Sequence, residues 1–447
     1  MKDGYFPSVW KSTFINPLFK KGNKNLISNY RPISLISIIP KIFSKIVNSK
    51  LIPLFKNIFV TQQHGFRSQR STVTNLISFK HFLLDSLSKG EQTDVIYTDF
   101  EKAFDRIDHS LLVMKLKKIG FTDPLLSWFH SFLTQRTQHV IFKEFIFKPI
   151  IVTSGVPQED HLSPLLFNLF INDIVFSIKY SNILLLADDA KIFKSVKSPS
   201  DSDLLQKDLN NFYDWCAING MSLNITKCQS ISFFKIKNPI IYNYSFFNLN
   251  LSRCSLIKDL GIFFDSKLFF NHHVLSIKNK ALSMFGLIKR NYSKFNDPIT
   301  LKCLYTSLIR SQLEYATIIW ESHNIGHSKL IEGVQNNVLR YICFKCNIVR
   351  PPHSGYNDIL NFLNLKSLQD RRIDCYYSFL KKLLNNKIDN NSFLLGQIKL
   401  KIHIRNTRDT CLFHIPYCSQ NYTSSSPINT LLTTGNNVNR DLDKFLL

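Results

Sequence analysis

The sequence feature that most restricts the possible folds is a pair of adjacent aspartates between two short apolar runs. Asp188 and Asp189 separate the apolar run 183–187 from a second run that begins at Lys191. Two short runs joined by a tight connection are typical of a β-hairpin. A third carboxylate, Asp99, directly follows the run 94–98, which has the length and composition of a buried strand. If these strands are neighbours in one sheet, the three carboxylates converge.

Converging carboxylates have a specific chemical use. Transfer of a nucleotidyl group to a hydroxyl requires two divalent cations about 3.5–4 Å apart, and hard cations such as Mg²⁺ prefer oxygen ligands. The alternative is that each aspartate is only a turn residue, which is the commoner origin of an isolated Asp-Asp pair. The pair by itself leaves both interpretations open.

The distribution of charge favours a polyanionic partner. Lys and Arg number 56 against 32 Asp and Glu, which gives a formal net charge of +24, and chains this basic usually bind nucleic acid. An AT-rich coding sequence would also enrich lysine, but it would not readily remove every carboxylate from one region. Between Gly4 and Leu84 there is no Asp or Glu, and we interpret this region as a surface that faces phosphate groups. Its basic residues are Lys11, Lys20, Lys21, Lys24, Arg31, Lys41, Lys45, Lys50, Lys56, Arg67, Arg70 and Lys80.

Cysteine usage and hydropathy predict where the chain resides. Its nine cysteines are irregularly spaced, nothing at the N-terminus has the pattern of a signal peptide, and no uncharged apolar run approaches the ~18–20 residues of a membrane span. We expect free thiols, no membrane association and an intracellular location, in the nucleus or the cytoplasm.

Local signals predict a mixed domain followed by a helical one. Asp123-Pro124 and Ser163-Pro164 each precede an apolar stripe, which is the pattern of a helix start. The stretch 256–264 predicts a second hairpin, and after about residue 270 apolar residues recur at helical spacing. Residues 419–439 are rich in Ser, Thr and Asn and are expected to be poorly ordered. The predicted class is α+β.

Seven sequence blocks follow one another along the chain. They are Asn29–Leu35, Gln63–Arg67, Tyr97–Asp105, Gly155–Gln158 with Leu162–Phe167, Ala187–Asp189, Trp215 with Leu223-Asn224 and Lys227, and Leu313–Ala316 with Trp320 and Val334-Gln335. In this order they resemble the blocks of the reverse transcriptases of non-LTR (LINE-type) retrotransposons, in particular their jockey-like branch. Each block is weak alone, and their common order also argues against a basic scaffold protein with an accidental Asp-Asp pair.

The resemblance implies a right-hand polymerase fold with an antiparallel palm sheet, helical fingers and a mostly helical thumb. The corresponding boundaries are fingers at 1–92, palm at 93–270, thumb and connection at 271–400 and a partly disordered tail at 401–447. The implied activity is RNA-directed DNA polymerisation on an RNA template and a DNA primer, with deoxynucleoside triphosphates and two Mg²⁺ or Mn²⁺ ions. The endonuclease that usually precedes this polymerase, and a ribonuclease H carboxylate set, are not expected within these residues.

The resemblance also assigns roles at the matched positions. Asp99, Asp188 and Asp189 would hold the metal ions, and Lys227 would protonate the pyrophosphate leaving group. Gln158 would contact the incoming nucleotide and the template.

Three further positions belong to the nucleotide site under the same resemblance. Arg67 would clamp the triphosphate, joined by Arg31, because a planar fork suits phosphate oxygens. Arg31 has the alternative role of bracing the fingers. The ring of Phe104 would block a ribose 2′-hydroxyl, and the alternative is that it only packs in the core.

Two departures from the family pattern bear on activity. Glu159 and Asp160 stand where the family usually has glycine and a small residue, and Leu186 replaces an aromatic residue. The two carboxylates would either repel the triphosphate or be neutralised by nearby Lys or Arg and turned toward solvent. We expect repulsion and hence weak or absent activity, which Glu159→Gly with Asp160→Ser raises while leaving stability nearly unchanged. The alternative to an active polymerase is therefore a decayed copy that folds and binds nucleic acid without polymerising.

A possible zinc motif remains incomplete. Cys343 and Cys346 form a CxxC near His353, but no second pair completes a ligand set. We interpret the pair as part of a helix.

Overall fold

Residues 3–321, 325–349, 351, 354–389, 394–401, 411–418, 424, 426–438 and 445 are described by the structure, a computed structural model. They form two compact units. The first unit comprises Met1–Arg67, Asp94–Ser230 and Ile240–Arg253. The second comprises Ser68–Thr93, Ile231–Pro239 and Cys254–Leu447. His353 lies outside the described residues.

The secondary structure is mixed, and the predicted α+β class is confirmed. The described helices are α1 (Ile38–Phe55), α2 (Thr72–Ser88), α3 (His109–Ile119), α4 (Leu125–Leu133), α5 (Ser163–Ile171), α6 (Pro199–Ile218), α7 (Asn271–Asn291), α8 (Pro298–Leu304), α9 (Ser311–Glu314), α10 (Thr317–Trp320), α11 (Ile325–Lys345), α12 (Asn357–Phe362), α13 (Leu368–Leu384) and α14 (Pro427–Val438). The described strands are β1 (Ser12–Phe19), β2 (Tyr30–Leu35), β3 (Gln92–Thr98), β4 (Arg136–Phe142), β5 (Phe145–Ile146), β6 (Ile150–Val152), β7 (Asn182–Leu186), β8 (Asp189–Val196), β9 (Gln229–Phe233), β10 (Ser245–Phe246), β11 (Leu249–Asn250), β12 (Ser252–Cys254), β13 (Leu256–Asp259), β14 (Ile262–Asp265), β15 (Lys399–Leu400) and β16 (Phe413–His414).

The sheet that carries the aspartates has the strand order β12-β9-β3-β8-β7. Strands β7 and β8 pair antiparallel, with Leu186 opposite Asp189, so the predicted hairpin is confirmed. Its turn differs by one residue from the expectation. Ala187 and Asp188 form the two-residue connection, and Asp189 is already the first residue of β8. Ala187 adopts a left-handed backbone, with φ of 55°, which a two-residue hairpin turn requires.

Apolar side chains bury this sheet against helices of the first unit. Strand β3 is buried along almost its whole length. Both of its faces are covered, so its residues do not alternate between core and solvent. The helix starts predicted at Asp123-Pro124 and Ser163-Pro164 lead into α4 and α5. These helices supply the large aromatic part of the core, including Trp128, Phe129 and Phe167. The core therefore fixes the position of β3, whose last residue directly precedes Asp99.

The basic N-terminal region contains strands as well as helices. Besides α1 it contributes β1 and β2, which pair antiparallel, while β1 pairs in parallel with β4. β6 also pairs with β4. The expectation of helical fingers is thus incomplete, because this part of the first unit has a sheet of its own.

The second unit is mostly helical, as the spacing of apolar residues indicated. Helices α7, α11 and α13 lie in the stretch after residue 270 where apolar residues recur at helical spacing, and β13 and β14 form the predicted second hairpin. Cys343 lies on α11. The expectation of poor order is wrong for α14, which buries Ile428, Leu431 and Leu432 despite its polar composition. Among the described residues, no helix combines the length and hydropathy that crossing a membrane requires.

A buried carboxylate fixes the segment that leads into the hairpin. Asp208, on α6, accepts hydrogen bonds from the backbone N–H groups of Lys179, Tyr180 and Ser181 at 2.8, 2.8 and 2.7 Å. We predict that Asp208→Ala lowers the free energy of unfolding by about 2–4 kcal/mol, because several backbone donors lose a charged acceptor. Urea unfolding followed by circular dichroism measures this.

The matched control is Asp203→Ala on the same helix. Asp203 is exposed and accepts one hydrogen bond, from Tyr242 at 3.0 Å. Its loss should cost less than about 1 kcal/mol. Equal unfolding midpoints for the two variants would contradict the role given to Asp208.

Candidate active site

Two of the three aspartates come together at the end of the central sheet. Asp99 follows the last residue of β3, and Asp188 lies in the β7–β8 turn. The pKa of the Asp188 carboxyl is raised, first by the burial of this half-buried side chain and also by the nearby negative charge of Asp99. A carboxylate that loses hydration beside a second negative charge favours a nearby cation. The prediction that these segments meet is therefore supported.

A lysine already occupies one side of this carboxylate pair. The ammonium of Lys227 lies 2.9 Å from Oδ2 of Asp99, with both side chains partly exposed. The backbone of the same segment is tied to β3, since the N–H of Asn224 donates to the carbonyl of Asp99 at 2.8 Å. The sequence block around Lys227 is thus fixed directly beside the first aspartate.

Asp189 is placed differently from the other two aspartates. It is exposed at the start of β8, whereas Asp99 and Asp188 are half-buried. Within the described ranges, no group of three or more His, Cys, Asp or Glu side chains has the arrangement of a metal site. A site made by all three carboxylates therefore stays a prediction.

The block 63–67 holds the aspartate hairpin through backbone contacts. The N–H of His64 donates to the carbonyl of Leu185 at 2.9 Å. The side-chain oxygen of Gln63 accepts from the N–H groups of both Gly65 and Ala187, at 2.8 and 3.0 Å. A methyl group on Gly65 would lie 3.0 Å from Cα of Ala187 and closer still to its nitrogen. Only glycine allows this approach.

The block around Gln158 is fixed to the segment that follows Asp99. Gly155 has φ of 85°, and a side chain there would lie 2.7 Å from Cα of Asp105. The N–H of Val156 donates to the carbonyl of Phe104 at 2.9 Å. The amide of Gln158 donates to Oδ1 of Asp105 at 2.9 Å. Asp105 thereby sets the direction of the Gln158 side chain.

The remaining predicted residues, Arg31, Arg67 and Phe104, have three different placements. Arg31 lies near enough to Asp188 to lower its pKa, as does Lys20, against the larger effect of burial. Arg67 instead donates to the carbonyl of Val60 at 2.7 Å. Phe104 stacks on Phe167 with ring centroids 4.4 Å apart and is only half-buried, so its position permits both roles considered for it.

Three residues at the site were not singled out from the sequence. Lys20 is one of many lysines in the acid-free region, and nothing local distinguishes it. Asp105 is part of the matched block but its carboxylate had no assigned partner. Gln63 also belongs to a matched block, and its contact with Ala187 depends on tertiary structure. Membership of a block was the only signal for the last two.

The acidic pair after Gln158 separates into two different environments. Glu159 is exposed and has φ of 73°, a conformation that glycine adopts without strain. Asp160 is buried, where Oδ2 accepts from Ser44 Oγ at 3.0 Å and Oδ1 accepts from the N–H of Leu162 at 2.8 Å. Burial raises the pKa of Asp160, while the nearby Arg136 acts in the opposite direction. Asp160 therefore has a structural role.

This placement corrects the expectation that both carboxylates can be removed without loss of stability. Asp160→Ser should lower the free energy of unfolding by about 1–3 kcal/mol, because Leu162 and Ser44 lose an acceptor and the buried Arg136 loses a counter-charge. Glu159→Gly should leave it unchanged or raise it by up to about 1 kcal/mol, since glycine relieves the left-handed strain. Denaturant unfolding of the two single variants tests this, and equal stabilities would contradict it.

The part of the chain that matches known proteins contains these site residues. A family model described as reverse transcriptase (RNA-dependent DNA polymerase) matches residues 19–277. The chain is similar to the RNA-directed DNA polymerase from mobile element jockey of Drosophila melanogaster, with 27% identity over 85% of this chain and 42% of that protein. It is also 27% identical to the probable RNA-directed DNA polymerase from transposon X-element of the same organism, over 76% of this chain and 38% of that protein.

The relatives are longer than this chain, which spans about two-fifths of the length of each of these two. Among solved structures, an apo telomerase from Candida tropicalis aligns with 79% of this chain and 61% of its own, at 12% identity and a TM-score of 0.45. The resemblance to jockey-like polymerases is confirmed by the relatives. Because the family model covers more than half of the sequence, the chain belongs to the reverse transcriptase family.

Proposed function

We propose that this chain is an RNA-directed DNA polymerase of a mobile element, which adds nucleotides to the 3′-hydroxyl of a DNA primer on an RNA template. The observation that carries the proposal is the convergence of Asp99 and Asp188 at one end of the sheet, in a family that generally uses divalent metal ions for catalysis. We assign residues 1–92 to fingers, 93–270 to palm, 271–400 to thumb and connection, and 401–447 to a tail.

The carboxylates supply the donor set that a hard cation prefers. Asp188 is half-buried beside Asp99, so its carboxylate lacks full solvation and gains from a positive charge. Asp99, Asp188 and Asp189 would hold two Mg²⁺ or Mn²⁺ ions. Such ions, when bound, activate the 3′-hydroxyl and stabilise the charge of the transferring phosphoryl group.

Lys227 has two tasks in this proposal. Without nucleotide its ammonium balances Asp99 at 2.9 Å. When a triphosphate binds, Lys227 exchanges this partner for a phosphate oxygen and donates the proton on Nζ to the departing pyrophosphate. A flexible lysine suits this exchange better than a rigid arginine fork.

The nucleotide is positioned by residues on both sides of the aspartates. Gln158, directed by Asp105, contacts the incoming base pair. Arg31 and Lys20 bring positive charge to the vicinity of Asp188, where the triphosphate would lie. Arg67 must exchange the carbonyl of Val60 for phosphate to take part. Phe104, supported by Phe167, limits the space at the sugar.

The cellular setting we propose is intracellular, in the nucleus or the cytoplasm, where RNA template and deoxynucleoside triphosphates are available. Within the residues that the structure describes, no disulfide joins the nine cysteines, which agrees with a reducing compartment.

A second function is favoured by one specific observation. Glu159 is exposed, negatively charged and held in a conformation suited to glycine, directly after Gln158. A carboxylate there repels the triphosphate. The alternative is therefore a protein that binds nucleic acid but does not polymerise.

Primer extension distinguishes catalysis from binding. With a DNA primer annealed to an RNA template and Mg²⁺ or Mn²⁺, we predict extension that Asp188→Asn reduces at least about a thousandfold, because this change removes charge at the metal position. The control is Asp214→Asn, an exposed carboxylate on α6, which should retain wild-type activity. No extension by the wild-type protein with either metal would contradict the polymerase proposal.

The effect of Glu159 is tested on the same reaction. One unit charge at mid-range distance and an effective dielectric near 20 is worth about 1–2 kcal/mol, so Glu159→Gly should raise the nucleotide efficiency about tenfold. Glu159→Gln separates the removal of charge from the relief of backbone strain. If extension by Glu159→Gly equals that of the wild-type protein, the carboxylate is harmless and the second function loses its support.

A further inference from the structure

A groove between helices α7 and α11, in the second unit, combines aromatic rings with basic groups. Its volume is about 490 Å³, within the ~300–1,000 Å³ typical of ligand sites. Its lining residues are Leu282, Phe285, Lys289, Asn337, Arg340, Tyr341 and Phe344. Two of these carry positive charge, three carry aromatic rings and none carries a carboxylate.

The floor of the groove is a fixed aromatic pair. Phe285 is 6% exposed, and its ring meets that of Tyr341 edge-to-face with centroids 5.6 Å apart. Phe344 lies one helical turn beyond Arg340 and is 78% exposed. A phenylalanine this exposed gains nothing from the core. The groove thus offers a rigid ring at its base and an open ring at its rim.

One cation of the groove lies over these rings. Lys289 Nζ is 4.3 Å from the centroid of Phe285 and 5.2 Å from that of Tyr341. The second cation, Arg340, lines the same groove and donates a hydrogen bond to Asn337 on the same helix. The groove therefore holds one ammonium beside aromatic faces and one guanidinium in its lining.

The charge on the two helices that form the groove favours an anionic ligand. Helix α7 contains Lys278, Lys280, Lys289 and Arg290 and no Asp or Glu. On α11 the one carboxylate, Glu332, is half-buried and accepts the backbone N–H of Leu368 at 3.1 Å. A polyanion with flat rings satisfies both the positive charge and the aromatic surfaces.

We propose that this groove binds an unpaired nucleotide of a single-stranded nucleic acid, with its base stacked on Tyr341 and Phe344 and its phosphates on Lys289 and Arg340. Stacking on aromatic side chains within a basic groove is how single strands are held without sequence preference. The groove is a second nucleic-acid site that does not involve the aspartates. It does not depend on the chain being an active polymerase.

Binding of labelled oligonucleotides to the full chain, without divalent ions and at one fixed salt concentration, tests the proposal by fluorescence anisotropy. The probes are single-stranded RNA, single-stranded DNA of the same sequence, an abasic strand of the same length and a duplex. Phe344→Ala and Tyr341→Ala should weaken binding of at least one single strand with bases roughly tenfold and leave the abasic strand unchanged. Phe344 is exposed, so its variant keeps the fold even if Tyr341→Ala does not.

Two controls are matched to the proposed contacts. Phe362→Ala removes a ring that is 64% exposed on α12 and should change nothing. Lys289→Gln should weaken every probe with phosphates more than Lys329→Gln does, because Lys329 lies about 16 Å from Arg340 along α11.

The sugar preference follows from the comparison of RNA with DNA. Equal affinities support recognition of base and phosphate alone, and a preference for RNA or for DNA supports the site and adds a contact to the sugar. The proposal is overturned if Phe344→Ala binds the single strands as tightly as the wild-type chain does and the abasic strand binds as tightly as the strands with bases. It is also overturned if Lys329→Gln weakens binding as much as Lys289→Gln. A third contradicting result is a duplex affinity that depends on Phe344 as strongly as the single-strand affinity does.

Discussion

The approach of the Gly65 backbone to the Ala187 backbone is the contact on which the rest of the site depends. Gly65 has no side chain, so the oxygen of Gln63 can accept from both N–H groups and the strand pair can close against residues 63–65. These residues contact β7 along the edge that does not pair with β8, and they thereby fix the turn at Ala187 and Asp188. Its position decides how near Asp188 comes to Asp99, and hence how strongly each carboxylate attracts a cation.

A second close approach of two backbone segments also requires a glycine. Gly155 lies against Asp105, and this contact connects the segment after Asp99 to the segment that carries Gln158. Both contacts use a glycine to let one backbone reach another. Parts of the chain far apart in sequence are tied by main-chain bonds, which hold geometry more rigidly than long side chains do.

Much of this arrangement could be predicted from the sequence. The strand before Asp99 and the hairpin at Asp188 followed from apolar runs and turn residues, because these signals are local. The position of the turn was missed by one residue, since nothing in the sequence marks Ala187 as left-handed. The order in α14 was missed because its stabilisation comes from burial of Ile428 and Leu431 and not from composition.

The contacts that the sequence did not reveal share a physical cause. For Asp160, repulsion of the triphosphate was preferred over neutralisation by a nearby Lys or Arg, but its partners Ser44 and Arg136 are distant in sequence and only the fold brings them near. The reach of Lys227 to Asp99 likewise requires the end of β3 and the segment at Asn224 to be neighbours. Sequence blocks indicate which residues matter, whereas the direction of each side chain depends on packing.

The central claim is that the backbone contact at Gly65 positions the carboxylate pair, and Mn²⁺ binding to the nucleic-acid-free chain tests it most directly. Gly65→Ala removes no carboxylate, yet it should weaken Mn²⁺ binding by about ten- to a hundredfold, because supporting contacts control the affinity of their ligands. Gly333→Ala, on α11 with open space around it, should bind Mn²⁺ as the wild-type chain does. Equal Mn²⁺ affinities for Gly65→Ala and Gly333→Ala would contradict the claim.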